Sequence, residues 1–189
     1  MNMEVLVQSI PEVLIIQPTV HLDDRGYFSE TFRHDFLKAQ LGYEINFIQD
    51  NEARSVKGVL RGLHYQSEPK AQTKLVRVIE GEVLDVAVDI RAGSPNFGRH
   101  VAVKLSGENK RQMFIPRGFA HGYLVLSDTA IVAYKVDNYY SPEHDYGLAY
   151  DDDDLKINWL MEKKEMRISE KDMKHPKLRE LKNSFAHKM

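Results

Sequence analysis

The sequence predicts an all-β domain of the sandwich or barrel class, to which the jelly roll belongs. Two observations carry this expectation. Between Val13 and Val136 the chain consists mostly of short runs with period-two alternation, rich in Val, Ile, Tyr and Phe and separated by Gly, Pro, Asn and Ser. Helical patterning is confined to one short segment near residue 35 and to the end of the chain. With 189 residues, 42% hydrophobic and 29% charged, the chain suits one domain with a sizeable core. The expectation is therefore a single domain over residues 1–189, with a helical tail from about residue 160.

In chain order, Asp23-Asp24-Arg25-Gly26 is a turn, and the strand after it alternates so that Phe28, Glu30 and Phe32 share a face. A carboxylate between two aromatics is either a solvated group or part of a cavity wall suited to stacking a nucleobase. A short helix is predicted over residues 35–41, with Asp35 as cap, Phe36, Leu37 and Leu41 as apolar stripe and Gly42 as stop. Gln49-Asp50-Asn51 then offers donors and acceptors that serve a polar ligand or a turn.

Residues 58–66 place Arg61 and His64 in an apolar, strand-like run. Regular alternation groups Leu60, Gly62, His64 and Gln66 on one face and Val59, Arg61, Leu63 and Tyr65 on the other. Gly62 can relax that division, because a glycine inside a strand often marks a bulge. The two ionisable groups either line a cavity or are a surface Arg and a hydrogen-bonded structural His.

Residues 74–90 read as a hairpin broken at Glu80-Gly81-Glu82, with Val76 and Val78 on one strand and Leu84, Val86, Val88 and Ile90 on the next. A second pair, 122–126 and 130–136, is joined by Ser127-Asp128-Thr129. Lys74 opens its strand, placed either to reach an anionic oxygen or to point to solvent. His121 lies between glycines, where backbone can approach a ligand closely. Tyr134 is in phase with Ala130 and Val132; its hydroxyl is either a buried hydrogen-bonding group or, beside a histidine base, a proton donor. After Trp159 the composition turns to Lys, Glu and Met, and Pro176 followed by Leu178, Leu181 and Phe185 predicts a C-terminal helix packed on the sheets.

A net charge of −2 and a pI near 6.4 give no footprint for a nucleic-acid polymer. The absence of cysteine excludes disulfides, thiolate metal sites and cysteine nucleophiles. The N-terminal residues lack a signal-peptide pattern and no apolar stretch reaches the length of a membrane span, so a soluble cytoplasmic protein is expected. Dinucleotide, Walker-type and Gly-x-Ser-x-Gly fingerprints are missing, as is the His-x-His of metal-binding barrels, and none of the eight histidines is paired at ligand spacing. The run Asp151 to Asp154 lacks the spacing of a calcium loop and reads as an acidic turn.

The ordered set of segments resembles the dTDP-4-dehydrorhamnose 3,5-epimerases of the cupin type. It comprises Asp24-Arg25-Gly26-Tyr27-Phe28-Ser29-Glu30-Thr31-Phe32, Gln49-Asp50-Asn51, residues 58–66, Lys74-Leu75-Val76-Arg77, residues 85–91, Ser94-Pro95 with Phe97-Gly98, residues 115–122, Tyr134-Lys135, Tyr139-Tyr140-Ser141-Pro142 and Ile168-Ser169-Glu170-Lys171-Asp172. The resemblance implies an all-β, cupin-like jelly-roll barrel with short flanking helices, a homodimer through exchanged N-terminal strands, and neither metal nor organic cofactor. It implies His64 as base polarised by Asp172, Tyr134 as acid and Lys74 as the group steadying the enolate. It places Arg25, Glu30, Gln49, Asp50, Asn51, Arg61, His121 and Lys171 around a dTDP-sugar, with Phe28 and Tyr139 near the base. Asp145, where many relatives carry Glu, is the one departure from the pattern and a weaker candidate contact. Retention of base, acid and carboxylate together sets an enzyme apart from a sugar-nucleotide-binding cupin, and C3-only epimerases and ketoisomerases share most of the same pattern. A metal-dependent oxygenase or isomerase on a similar barrel is disfavoured by the missing His-x-His.

Overall fold

The computed structural model describes residues 3–181, 185 and 186. Strands β1 (Met3–Leu6) and β2 (Leu14–Pro18) form a hairpin, and a smaller hairpin joins β3 (His21–Asp23) to β4 (Gly26–Phe28) around the expected Asp-Asp-Arg-Gly turn. After α1 (His34–Leu41) come β5 (Gln49–Val56), β6 (Val59–Gln66), β7 (Lys74–Glu80), β8 (Glu82–Asp89), β9 (His100–Ser106), β10 (Gln112–Ile115), β11 (Phe119–Val125) and β12 (Thr129–Val136). The last strands are β13 (Asp145–Gly147) and β14 (Arg167–Ile168).

Two main sheets result, one ordered β1-β2-β10-β7-β12-β5 and the other β13-β6-β11-β8-β9, with β14 parallel on β6. From β5 to β8, and again from β9 to β13, each strand lies in the opposite sheet from its predecessor. This is a jelly-roll sandwich whose sheets stay separate in their hydrogen bonding, so the barrel is not closed. The two hairpins expected at 74–90 and 122–136 are therefore corners: β7 and β11 each hand the chain to a strand of the facing sheet. Alternation fixes which residues share a face, and a turn says only that the chain reverses; neither distinguishes a reversal within a sheet from one across the core. At the first corner Gly81 has φ +79°, and a Cβ there would lie 2.1 Å from the Thr129 carbonyl oxygen, so the two corners pack together.

Three apolar layers follow from the alternation. Val76 and Val78 of β7, Val83 and Ala87 of β8, Tyr123 and Val125 of β11 and Val132 of β12 meet between the sheets. The opposite face of the second sheet, through Leu84, Val86, Val88 and Leu124, is covered by Leu148, Tyr150, Leu155, Trp159 and Phe185. The outer face of the first sheet, through Ile16, Leu75 and Phe114, is covered by Leu37 of α1 and by Ile45.

The helix runs as expected and ends at Gly42, whose φ of +75° allows its N–H to reach the Lys38 carbonyl at 2.9 Å. Asp35 does not cap it; extended Arg33 holds the N-cap position and pairs with Asp35 at 3.0 Å. The strand expected to carry Phe28, Glu30 and Phe32 on one face ends at Phe28. Phe32 instead packs edge-on against Phe47, 5.6 Å between centroids, because the chain turns there to bring α1 over the first sheet.

The expected helical tail is not seen among the described residues: three-residue 3₁₀ turns stand at Lys163–Glu165, Asp172–Lys174 and Leu178–Glu180, and residues 182–184 lie outside them. The tail buries apolar groups one at a time on the second sheet, as with Trp159, whose indole N–H donates to the Tyr150 carbonyl at 2.9 Å. That use of single anchors leaves no continuous stripe for a helix. No helix of the described residues is long and apolar enough to cross a membrane.

Candidate active site

The site begins with a phase change in β6. Leu60, Leu63 and Tyr65 all face the tail-covered side, whereas Val59 faces the layer between the sheets. The step from Leu60 to Leu63 is odd, so the alternation slips at Gly62, which has φ +133°, and the pairing of β6 with β11 shifts between His121 and Tyr123. A Cβ on Gly62 would lie 2.5 Å from Gly122 Cα, which only two glycines permit. The consequence is that Arg61 and His64, separated by three positions, both line the cavity between the sheets.

That cavity has two adjoining chambers of about 410 and 300 Å³ that share His64, Lys74 and Tyr134. Arg61, His121, Arg167, Lys171 and Asp172 line the larger; Gln49, Asn51, Tyr140 and Asp145 line the smaller. His64 Nε2 is 2.8 Å from Asp172 Oδ1, and Asp172 Oδ2 accepts the Gly62 N–H at 3.3 Å. Burial alone would raise the Asp172 carboxyl, but the adjacent His175 and His64 imidazoles and the Gly62 N–H hold it far below the usual carboxylate range. With Nε2 committed to an ionised carboxylate, Nδ1 is the imidazole nitrogen left to accept a proton.

The opposite wall comes from the first sheet. Lys74 is in phase with Val76 and Val78, and burial lowers it to about 8 against the opposing pull of Asp145 and Asp85. Burial raises the Tyr134 phenol, with Asp145 adding to the effect and Arg61 opposing it, so the hydroxyl keeps its proton at neutral pH. His121 Nε2 is 2.8 Å from fully buried Asp85. Burial, with smaller contributions from Lys74 and His64, lowers His121 despite Asp85, leaving a neutral imidazole. An acceptor on one sheet thus faces a phenol and an ammonium on the other.

Comparison with known proteins agrees with the geometry. The family model described as dTDP-4-dehydrorhamnose 3,5-epimerase matches residues 7–180. The chain belongs to that family. It is 52% identical over 173 residues to the dTDP-4-dehydrorhamnose 3,5-epimerase of Methanothermobacter thermautotrophicus, covering 91% of this chain and 92% of the relative. It is 52% identical over 157 residues to that of Escherichia coli K12, covering 83% and 85%. The crystal structure of dTDP-6-deoxy-D-glucose-3,5-epimerase from Legionella pneumophila in complex with dTDP-4-keto-L-rhamnose superposes with a TM-score of 0.95 at 46% identity over the full length of both chains.

Of the sequence-selected residues, His64, Lys74, Tyr134 and Asp172 meet at the cavity, as do Gln49, Asn51, Arg61, His121, Asp145 and Lys171. Gln49 Nε2 donates to Asn51 Oδ1 at 2.8 Å, and Lys171 Nζ donates to Asp145 Oδ2 at 2.6 Å, fixing both pairs. The other selected residues lie elsewhere. Asp50 points away from Gln49 and Asn51, as alternation requires, and pairs with Lys135 at 2.9 Å on the outer face. Tyr139 is exposed, giving its carbonyl to Gln66. Arg25 and Phe28 are exposed on the β3–β4 hairpin, with Arg25 paired to Asp23, and Glu30 follows that hairpin.

Sequence reasoning missed Asp85, Arg167 and His175. Asp85 carried a signal, since an acid in phase with Val83 and Ala87 on an apolar strand must be buried and partnered. Arg167 and His175 carried none beyond lying in the charged tail.

Proposed function

We propose that this family member epimerises dTDP-4-dehydro-6-deoxy-D-glucose at C3 and C5 to dTDP-4-dehydro-L-rhamnose by proton transfer through an enolate. The observation that carries the reading is the placement of His64 and Tyr134 on facing sheets around one cavity, with Lys74 beside them. The C4 ketone acidifies the hydrogens at C3 and C5 alike, so His64 Nδ1 removes a proton from one face and the Tyr134 hydroxyl delivers one to the other. The electron pair left by the proton moves onto the C4 oxygen, where the Lys74 ammonium steadies the oxyanion. The imidazolium then releases its proton to solvent and the phenolate takes one back, so the same pair serves the second carbon. Neither a metal nor an organic cofactor enters this chemistry.

Arg61, Arg167 and Lys171 at the larger chamber supply the positive charge that a diphosphate demands. Of the remaining groups assigned to the substrate, Arg25, Phe28 and Glu30 come in this reading from a second copy of the chain, which forms a homodimer by exchanging N-terminal strands. Leu22, Tyr27 and Phe28 support it: they are 81%, 58% and 59% exposed on one short hairpin, as expected for a segment that packs on a partner. A cytoplasmic location accompanies the reading.

The test is incubation with dTDP-4-dehydro-6-deoxy-D-glucose in heavy water, with deuterium at each sugar carbon followed by NMR. Label is expected at both C3 and C5, and loss of both rates by about 10²–10⁴-fold in His64→Asn. Label at C3 alone would assign a single-centre epimerase, and none would leave a sugar-nucleotide-binding protein.

A further inference from the structure

The reaction proposed above uses two members of a three-membered cluster. His175 follows Asp172 by one 3₁₀ turn and its side chain is 9% exposed, the ring seated in the space over Gly147, where a Cβ would come within 2.2 Å of Nε2. That Nε2 has no hydrogen-bond partner, although it lies 3.5 Å from Asp172 Oδ1. A buried imidazole nitrogen that reaches a carboxylate only at 3.5 Å, with no hydrogen bond made, calls for an explanation. The rings of His64 and His175 stand 5.5 Å apart and nearly perpendicular, and one donor atom from each of His64, Asp172 and His175 lies within 4.8 Å of the other two.

We propose that His64, Asp172 and His175 form a site for a zinc-like divalent transition metal, and that its occupancy silences the base. Two imidazoles and a carboxylate are the donor set that zinc and its neighbours favour over magnesium or calcium. Ligand bonds of about 2.1 Å in a tetrahedron set donor atoms about 3.4 Å apart, close to the 3.5 Å between His175 Nε2 and Asp172 Oδ1. The 2.8 Å His64–Asp172 contact must open by about 0.6 Å to reach that spacing. Asp172 is ready for this role: the Gly62 N–H holds Oδ2 and orients Oδ1. His64 and Asp172 line the larger chamber, which provides the entry path and room for a water in the fourth position.

Metal on His64 Nε2 displaces the proton shared with Asp172, and in the neutral ring that proton moves to Nδ1. Nδ1 then carries a hydrogen and has no lone pair with which to take one from the sugar. The inhibitory part of the proposal rests on His64 being the base; the binding part does not.

Chelator-stripped protein titrated with zinc chloride by calorimetry tests the binding part without substrate. One zinc per chain is expected for the wild type and binding at least about tenfold weaker for His175→Gln, with a thermal melt confirming that the variant is folded. Cobalt chloride should give the visible absorption of a four-coordinate site in the wild type alone. Equal zinc binding by both proteins, or none by the wild type, would overturn the site. In the heavy-water exchange reaction, zinc should stop label entry, a chelator should restore it, and the turnover left in His175→Gln should resist zinc. Stoichiometric zinc binding with unchanged exchange would overturn the inhibition while leaving the site.

Discussion

Lys74 shows how a single residue couples catalysis and stability to pH in opposite senses. Burial lowers its ammonium to about 8, so the charged form that steadies an enolate is present below that value and lost above it. Turnover should therefore fall on a basic limb near pH 8, and Lys74→Met should abolish that limb while lowering turnover by about 10²–10³-fold, the usual loss for one oxyanion donor. A pH–rate profile of both proteins checks this. Stability follows the other sign: between about 8 and the ordinary lysine value the unfolded chain holds a proton that the folded chain has released, so stability rises with pH over that window. Asp172 does not titrate in this range, since its neighbours hold it ionised. His64 is thus served by a fixed negative charge while the oxyanion partner is the group that switches.

Among the elements, the β6–β11 crossing governs whether the site exists. Gly122 is the cleaner probe of it because, unlike Gly62, its backbone lies outside the left-handed region, so alanine meets no conformational penalty there. A Cβ would lie 2.7 Å from the Arg61 carbonyl oxygen and 3.0 Å from Gly62 Cα, so any effect reports close approach alone. Gly122→Ala should cost about 1–3 kcal/mol in urea unfolding, as overpacking does. It should depress exchange by more than that loss of stability explains, because Arg61 and His64 move with the strand.

The same crossing marks the boundary of what was legible in the residues. Strand positions, the chain reversals at Gly81 and Ser127-Asp128-Thr129 and the stop at Gly42 follow from local pattern and turn chemistry. The phase slip at Gly62 does not, since it needs the backbone of Gly122 sixty positions away. The sheet to which each strand belongs, the non-helical tail and the arrival of His175 beside Asp172 are likewise settled by burial between distant segments. The outward turn of Asp50 was within reach, because alternation alone separates it from Gln49 and Asn51.

At the scale of the molecule, the candidate site is divided between a body that holds His64, Lys74, Tyr134 and His121 and a hairpin that carries Arg25 and Phe28 away from them. If the hairpin serves a second copy, His64→Asn and Arg25→Ala chains damage different sites in a mixed dimer. Unfolding the two variants together and refolding them should restore about a quarter of the wild-type sites, the share that pairs an intact body with an intact hairpin. No recovery from a confirmed mixed dimer would mean that the hairpin serves its own chain.

The dyad itself is assembled late in the chain. His64 lies on β6, whereas Asp172 arrives only after β13 and β14 are in place, on a segment that covers the second sheet. During synthesis, at about 5–20 residues per second, that carboxylate is made a second or more after the last residue of β13. The nascent barrel then holds its imidazole without a partner, and proton transfer begins only when the outer covering is laid down. Turnover thus reports completion of the tail, and a chain interrupted after β13 would lack both the carboxylate and the residues that cover Leu84, Val86, Val88 and Leu124 on the second sheet.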